Sequence, residues 1–129
     1  MVAVGITSKG ERLEFNCSDG ILCCWDRDLV SLEVPDGVEL INCWNNQLTE
    51  LIIPESVTYL HCENNQLTKL KVPEGVITVW CYNNKLSELL IPESVTSLKC
   101  DKEIKGLEKF IGEIRIVLWY QLDIQAKVK

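Results

Sequence analysis

Val57-Thr-Tyr-Leu60-His-Cys62-Glu-Asn-Asn65-Gln-Leu67-Thr-Lys-Leu70-Lys-Val72-Pro73-Glu-Gly75 is one unit of a sequence that returns on itself every nineteen residues. Outward from it the same marks recur in step. Cysteine stands at Cys24, Cys43, Cys62, Cys81 and Cys100, proline at Pro35, Pro54, Pro73 and Pro92, and asparagine at Asn46, Asn65 and Asn84. Leu29, Leu48, Leu67 and Leu86 keep the same interval. So strict a period makes each of these positions a register mark and the chain a repeat protein, in which stacked turns share one continuous core.

Within the unit, Val57, Leu60, Cys62, Asn65 and Leu67 spell L-x-x-L-x-C-x-x-N-x-L with valine in the first place. That is the signature of a leucine-rich repeat (LRR), whose turns each give one short strand to a curved parallel sheet and an asparagine to the following loop. Three full units begin at Val38, Val57 and Val76. A nineteen-residue turn leaves no room for an α-helix on its return path. Extended or polyproline-like convex segments are expected there, and Ile53-Pro54, Val72-Pro73 and Ile91-Pro92 suit them, because proline fixes φ and donates no hydrogen bond.

The chain resembles short LRR proteins of bacterial effectors and of large DNA viruses of amoebae. Its run Leu-x-Ile-Pro-Glu-Ser-Val-Thr-x-Leu-x-Cys-x-x-Asn is more similar to the repeat families of giant viruses such as the marseilleviruses than to the Leu-Pro-x-Leu-Pro repeats of bacterial ubiquitin-ligase effectors. The resemblance covers roughly residues 19 to 100 and implies binding without a reaction, with a host protein as partner if the chain is viral. No counterpart of the catalytic domain that follows the repeats in those ligases is expected in the 29 residues after Cys100.

Both ends fit the same frame, and residues 1–129 read as a single LRR domain. Residues 1–18 alternate, turn and alternate again, through Val2, Val4 and Ile6, then Ser8-Lys9-Gly10-Glu11, then Leu13, Phe15 and Cys17. This predicts an N-terminal β-hairpin cap over the open end of the core. Residues 19–101 are the repeats, the first of them degenerate, with Arg27 in place of the loop asparagine. Residues 102–129 are expected to form a C-terminal cap: a short helix between Glu103 and Gly112, then a sixth strand near Arg115 to Tyr120 with Trp119 in the cysteine column. A second period lies above the first. Asp36-Gly37 and Glu74-Gly75 alternate with Glu55-Ser56 and Glu93-Ser94, so the unit of duplication is 38 residues.

A net charge of −6 argues against nucleic acid, whose phosphates need a basic stripe. The longest run of aliphatic or aromatic residues, Ile116 to Tyr120, is too short to span a bilayer, and no cationic segment followed by an apolar stretch opens the chain. No membrane or cofactor partner is expected. Seven cysteines could form disulfides or hold a soft metal. Their fixed place at an inward strand position favours reduced core packing instead, since free cysteine is a small buried hydrophobe. That reading implies a reducing compartment and a cytoplasmic location. Asn46, Asn65 and Asn84 are read as inward residues bonding loop backbone, not as ligand contacts.

Function falls to the strand residues between the core positions. With Leu60 and Cys62 inward, Tyr59, His61 and Glu63 face out. Stacked turns give three outward columns: Ile21, Leu40, Tyr59, Thr78 and Ser97; Cys23, Asn42, His61, Trp80 and Lys99; and Trp25, Trp44, Glu63, Tyr82 and Asp101. They vary while their neighbours are held, and aromatic residues give large contact area at low entropic expense. The expected function is non-enzymatic protein recognition through a concave face carrying Trp25, Trp44, Tyr59, His61, Glu63, Trp80, Tyr82 and Asp101. The competing readings are aromatic packing that only stabilises the sheet, self-association as a homodimer, and a metal or catalytic site around His61. No ligand spacing of a known metal site supports the last of these.

Overall fold

The computed structural model describes residues 1–101. Its strands in chain order are β1 (Val2–Thr7), β2 (Arg12–Asn16), β3 (Ile21–Cys23), β4 (Leu29–Glu33), β5 (Leu40–Asn42), β6 (Tyr59–His61), β7 (Lys69–Lys71), β8 (Thr78–Trp80), β9 (Glu88–Leu90) and β10 (Ser97–Lys99). Strands β3, β5, β6, β8 and β10 form one parallel sheet in chain order, each a period of nineteen residues after the last. The result is a β-solenoid of about four turns, without a helix among the described residues. The expected helix between Glu103 and Gly112 and the expected strand near Arg115 to Tyr120 lie outside those residues.

Register follows the sequence period. Leu22, Ile41, Leu60, Val79 and Leu98 pair along the sheet and are all buried. The cysteine column lies two residues on, also buried, with every thiol free. Burial pushes Cys24 and Cys100 up to about 12 and holds Cys43, Cys62 and Cys81 well above the ordinary thiol value. These thiols are protonated packing groups rather than nucleophiles. Leu29, Leu48, Leu67 and Leu86 close the far side of the same core.

The loop asparagines explain the doubled Asn-Asn of each turn. Asn45, Asn64 and Asn83 take left-handed φ of 60°, 56° and 55°, a region that asparagine tolerates better than most residues. The second asparagine of each pair turns inward. Asn65 donates from Nδ2 to the carbonyls of Cys43 and Cys62, each at 3.1 Å, and accepts at Oδ1 from Leu48 N at 3.0 Å. Asn46 and Asn84 repeat the pattern, so the amides link adjacent turns as the sequence predicts. In the degenerate first turn Asp26 takes the left-handed place, at φ 57°, and Arg27 N donates to Asn46 Oδ1.

The 38-residue period has a bonding counterpart. Gly37 and Gly75 lie at φ 97° and 100°, whereas Ser56 and Ser94 are not in the positive-φ region. Each serine hydroxyl clasps the glycine turn before it. Ser56 Oγ accepts from Gly37 N and donates to Val38 O, and Ser94 Oγ does the same with Gly75 N and Val76 O.

The return side is extended and only partly paired. β7 pairs with β9 in parallel, while β4 pairs with β1 antiparallel. The intervening residues 49–53 make no backbone hydrogen bond among the described residues, and Ile52 there is 83% exposed. The N-terminal hairpin forms as expected, with Ala3 opposite Phe15. Its packing face is the small one, however. Ala3, Gly5 and Thr7 are buried, and Val2, Val4 and Ile6 take the other side. A Cβ on Gly5 would lie 2.7 Å from Leu29 Cδ2, so the strand approaches the core too closely for a valine face. Ala3, Phe15 and Cys17 join the core beside Leu22 and Leu29.

Candidate recognition face

The outer face of the five-stranded sheet is fixed by the same ladder that buries the core. Ile21, Leu40, Tyr59, Thr78 and Ser97 are register partners, as are Cys23, Asn42, His61, Trp80 and Lys99. The third column begins just beyond the strands, and backbone bonds carry the alignment on to it. Asp26 N donates to Trp44 O, Asn45 N to Glu63 O and Asn64 N to Tyr82 O, at 3.0 to 3.1 Å. Trp25, Trp44, Tyr59, His61, Glu63, Trp80 and Tyr82 therefore follow one another in register along the stacked turns.

Their side chains interact along the columns. Trp25 and Trp44 stack with ring centroids 5.0 Å apart and planes 3° from parallel. Trp25 is exposed and Trp44 half-buried, so the pair forms a flat apolar ledge at the first turns. Tyr59 is exposed in the first column, with the second column between it and the ledge. At the centre, His61 meets Trp80 with centroids 4.3 Å apart at a 53° tilt, and Lys99 Nζ lies 3.9 Å from the centroid of the Trp80 ring. This cation over an indole is an attractive contact in its own right.

Two of the eight have surroundings that spacing does not reveal. Glu63 is only 6% exposed, between the neighbouring positions of Trp44 and Tyr82. Burial raises its carboxyl above the ordinary 4.5, opposed by hydrogen bonds from its own backbone amide and from Tyr82 and by the charge of Lys99. Asp101 is half-buried, and its carboxylate accepts from Asn83 N and Asn84 N. One turn earlier, Asn64 N and Asn65 N donate to the carbonyls of Tyr82 and Asn83. In the sequence, Lys102-Glu103 stands where the three preceding turns have Asn-Asn.

Burial, and then Lys99, lower the His61 pKa below 6.5, so the imidazole is neutral at pH 7. Cys23, exposed in the same column, is separated from it by Asn42 on β5. Two strand spacings, about 10 Å, keep the pair beyond the reach of a nucleophile and its base. Among the described residues no group of three His, Cys, Asp or Glu side chains is placed to hold a metal. Among them, too, no helix is long and apolar enough to cross a membrane.

Three buried polar atoms on this face lack a hydrogen-bond partner among the described residues: Asn42 Oδ1, Glu63 Oε1 and Trp80 Nε1. They occupy adjoining places in the second and third columns, around His61. Sequence reasoning placed Glu63 and Trp80 on the face but gave no role to Asn42 or Lys99. No protein-family model matches the chain, and neither a curated protein nor a solved structure matches it.

Proposed function

We propose that the chain is a non-enzymatic protein-recognition module of the LRR class, with the outer sheet face as its concave binding surface. The observation that supports this most is the contrast between the columns. Inward positions repeat leucine, cysteine and valine turn after turn, while the aligned outward positions change and gather Trp25, Trp44, Tyr59, Trp80 and Tyr82. A face that served only to cover its own sheet would have no need to vary within so regular a frame. Stacked aromatic rings on rigid strands give an interface wide contact at small loss of freedom. The resemblance to giant-virus repeats makes a host protein the natural partner, and a column of free, buried thiols fits a reducing cytoplasm.

The test is light scattering on the reduced protein, followed by affinity capture from amoebal extract with wild type beside a Trp44→Ala, Trp80→Ala variant. A partner held by wild type and lost by the folded variant is the expected result. A stable homodimer that hides this face, with no captured partner, would overturn hetero-recognition in favour of self-assembly.

A further inference from the structure

Asn42, Glu63 and Trp80, on adjoining turns, carry buried polar atoms without a hydrogen-bond partner among the described residues. Asn42 and Trp80 flank His61 on the adjoining strands, and Glu63 stands two residues beyond His61 on the same turn. Their unpaired atoms each expose less than 1 Å², although Asn42, His61 and Trp80 are half-buried as residues. The polar ends are thus tucked into the face beneath a partly open rim. Folded proteins leave few buried polar groups unpaired, because each forfeits its bonds to water without replacement. Three in one block of a surface that is otherwise well bonded call for a complement.

The inventory of that complement can be read from the atoms. Asn42 Oδ1 and Glu63 Oε1 are acceptors, and Trp80 Nε1 is a donor. A carboxylate offers no donor and would meet two oxygens. An ammonium or guanidinium offers no acceptor to the indole N–H, and Lys99 already holds the cationic place over Trp80. A carboxamide has two N–H donors and one carbonyl acceptor. We propose that the centre of this face binds the carboxamide of an asparagine or glutamine side chain on an extended, uncharged segment of a partner protein, whose apolar neighbours lie on the Trp25–Trp44 ledge. Asn42 and Glu63 take the amide hydrogens, and Trp80 donates to the amide oxygen. Access requires turning the Trp80 and Asn42 side chains, which stand on the sheet surface, and leaves the backbone ladder intact. This inference rests on the reading of the face as a recognition surface.

The two are separated by titrating 15N-labelled protein with the blocked tripeptides Ac-Leu-Gln-Leu-NHMe, Ac-Leu-Glu-Leu-NHMe and Ac-Leu-norleucine-Leu-NHMe while following the tryptophan indole N–H resonances. The glutamine peptide is expected to shift the Trp80 indole saturably and to bind about tenfold or more tightly than the other two. Trp80→Phe and Asn42→Leu, followed through the Trp44 indole, should lose that preference. Asn42→Leu should also unfold at the same or a higher urea concentration than wild type, since it removes an unpaired polar atom, whereas Trp80→Phe also weakens the contacts with His61 and Lys99. Equal binding of the norleucine peptide would overturn the carboxamide site and leave the recognition face standing. Absence of binding by every peptide would overturn the inference, while the capture experiment continues to test the face by itself. If Asn42→Leu is clearly destabilised, its Oδ1 is already satisfied in the free protein, which also overturns it.

Discussion

Asn65 and Glu63 stand two residues apart on one turn and put buried polarity to opposite ends. Every polar atom of the Asn65 side chain is matched to backbone on its own turn or the one before. Asn65→Ala strands Leu48 N and leaves the carbonyls of Cys43 and Cys62 with one amide donor each, from Asn46 and Asn84, and is expected to destabilise the fold by about 1 to 3 kcal/mol in urea unfolding. An unchanged midpoint would mean that the ladder is not what holds the turns in register. Glu63 is matched only in part, and burial raises its pKa in the folded state. Between the unfolded and folded values the native state therefore holds more protons than the unfolded one, and stability falls as pH rises through that window. Glu63→Gln should remove this loss. Wild type and variant should show parallel pH dependence below about 4, and wild type should weaken relative to the variant as pH climbs past 4.5 and through the raised value. A wild type that instead gained on the variant over that range would contradict the sign of the shift. The asparagine's role was legible because the period repeats it. The burial of Glu63 was not, because it depends on the bulk of its neighbours in the column, and those change from turn to turn.

At the scale of elements, strand positions and register could be read from the cysteine and leucine columns alone, since one buried face sets the pairing of a strand. The orientation of β1 could not. Val2, Val4 and Ile6 are the larger residues of that strand, yet Ala3, Gly5 and Thr7 pack inward because Leu29 leaves no room for more. Alternation gives the period of a strand, but the space available decides which phase is buried. The glycine and serine alternation was visible as a pattern, but its cause, a serine hydroxyl bridging two atoms of the previous turn, is a contact between turns that spacing does not encode. Pairing also fails to repeat on the return side. Residues 49–53 lie between β4 and β7 without backbone bonds among the described residues. Their amides are expected to exchange with solvent faster than those of β7 and β9, because local protection follows hydrogen bonding and burial. Equal protection in native-state hydrogen exchange would show that the ladder continues across this segment.

For the whole molecule, one regular sequence serves two purposes. The inward columns and the asparagine ladder couple each turn to its neighbours, as in other stacked-repeat architectures. The outward columns are thereby freed to differ, and they carry the stacked Trp25 and Trp44, the His61, Trp80 and Lys99 cluster and the unpaired atoms between them. The two faces also separate the candidate surfaces: tryptophan on the outer sheet face, exposed Ile52 on the return side. The most direct test of the central claim is calorimetric titration of the captured partner against wild type, Trp44→Ala and Ile52→Ala, with all three shown to be folded. Recognition by the outer sheet face predicts that Trp44→Ala weakens binding by about 2 kcal/mol or more, as a central aromatic does, while Ile52→Ala binds like wild type. Loss of binding in Ile52→Ala with Trp44→Ala unaffected would place the interaction on the return side and contradict the account.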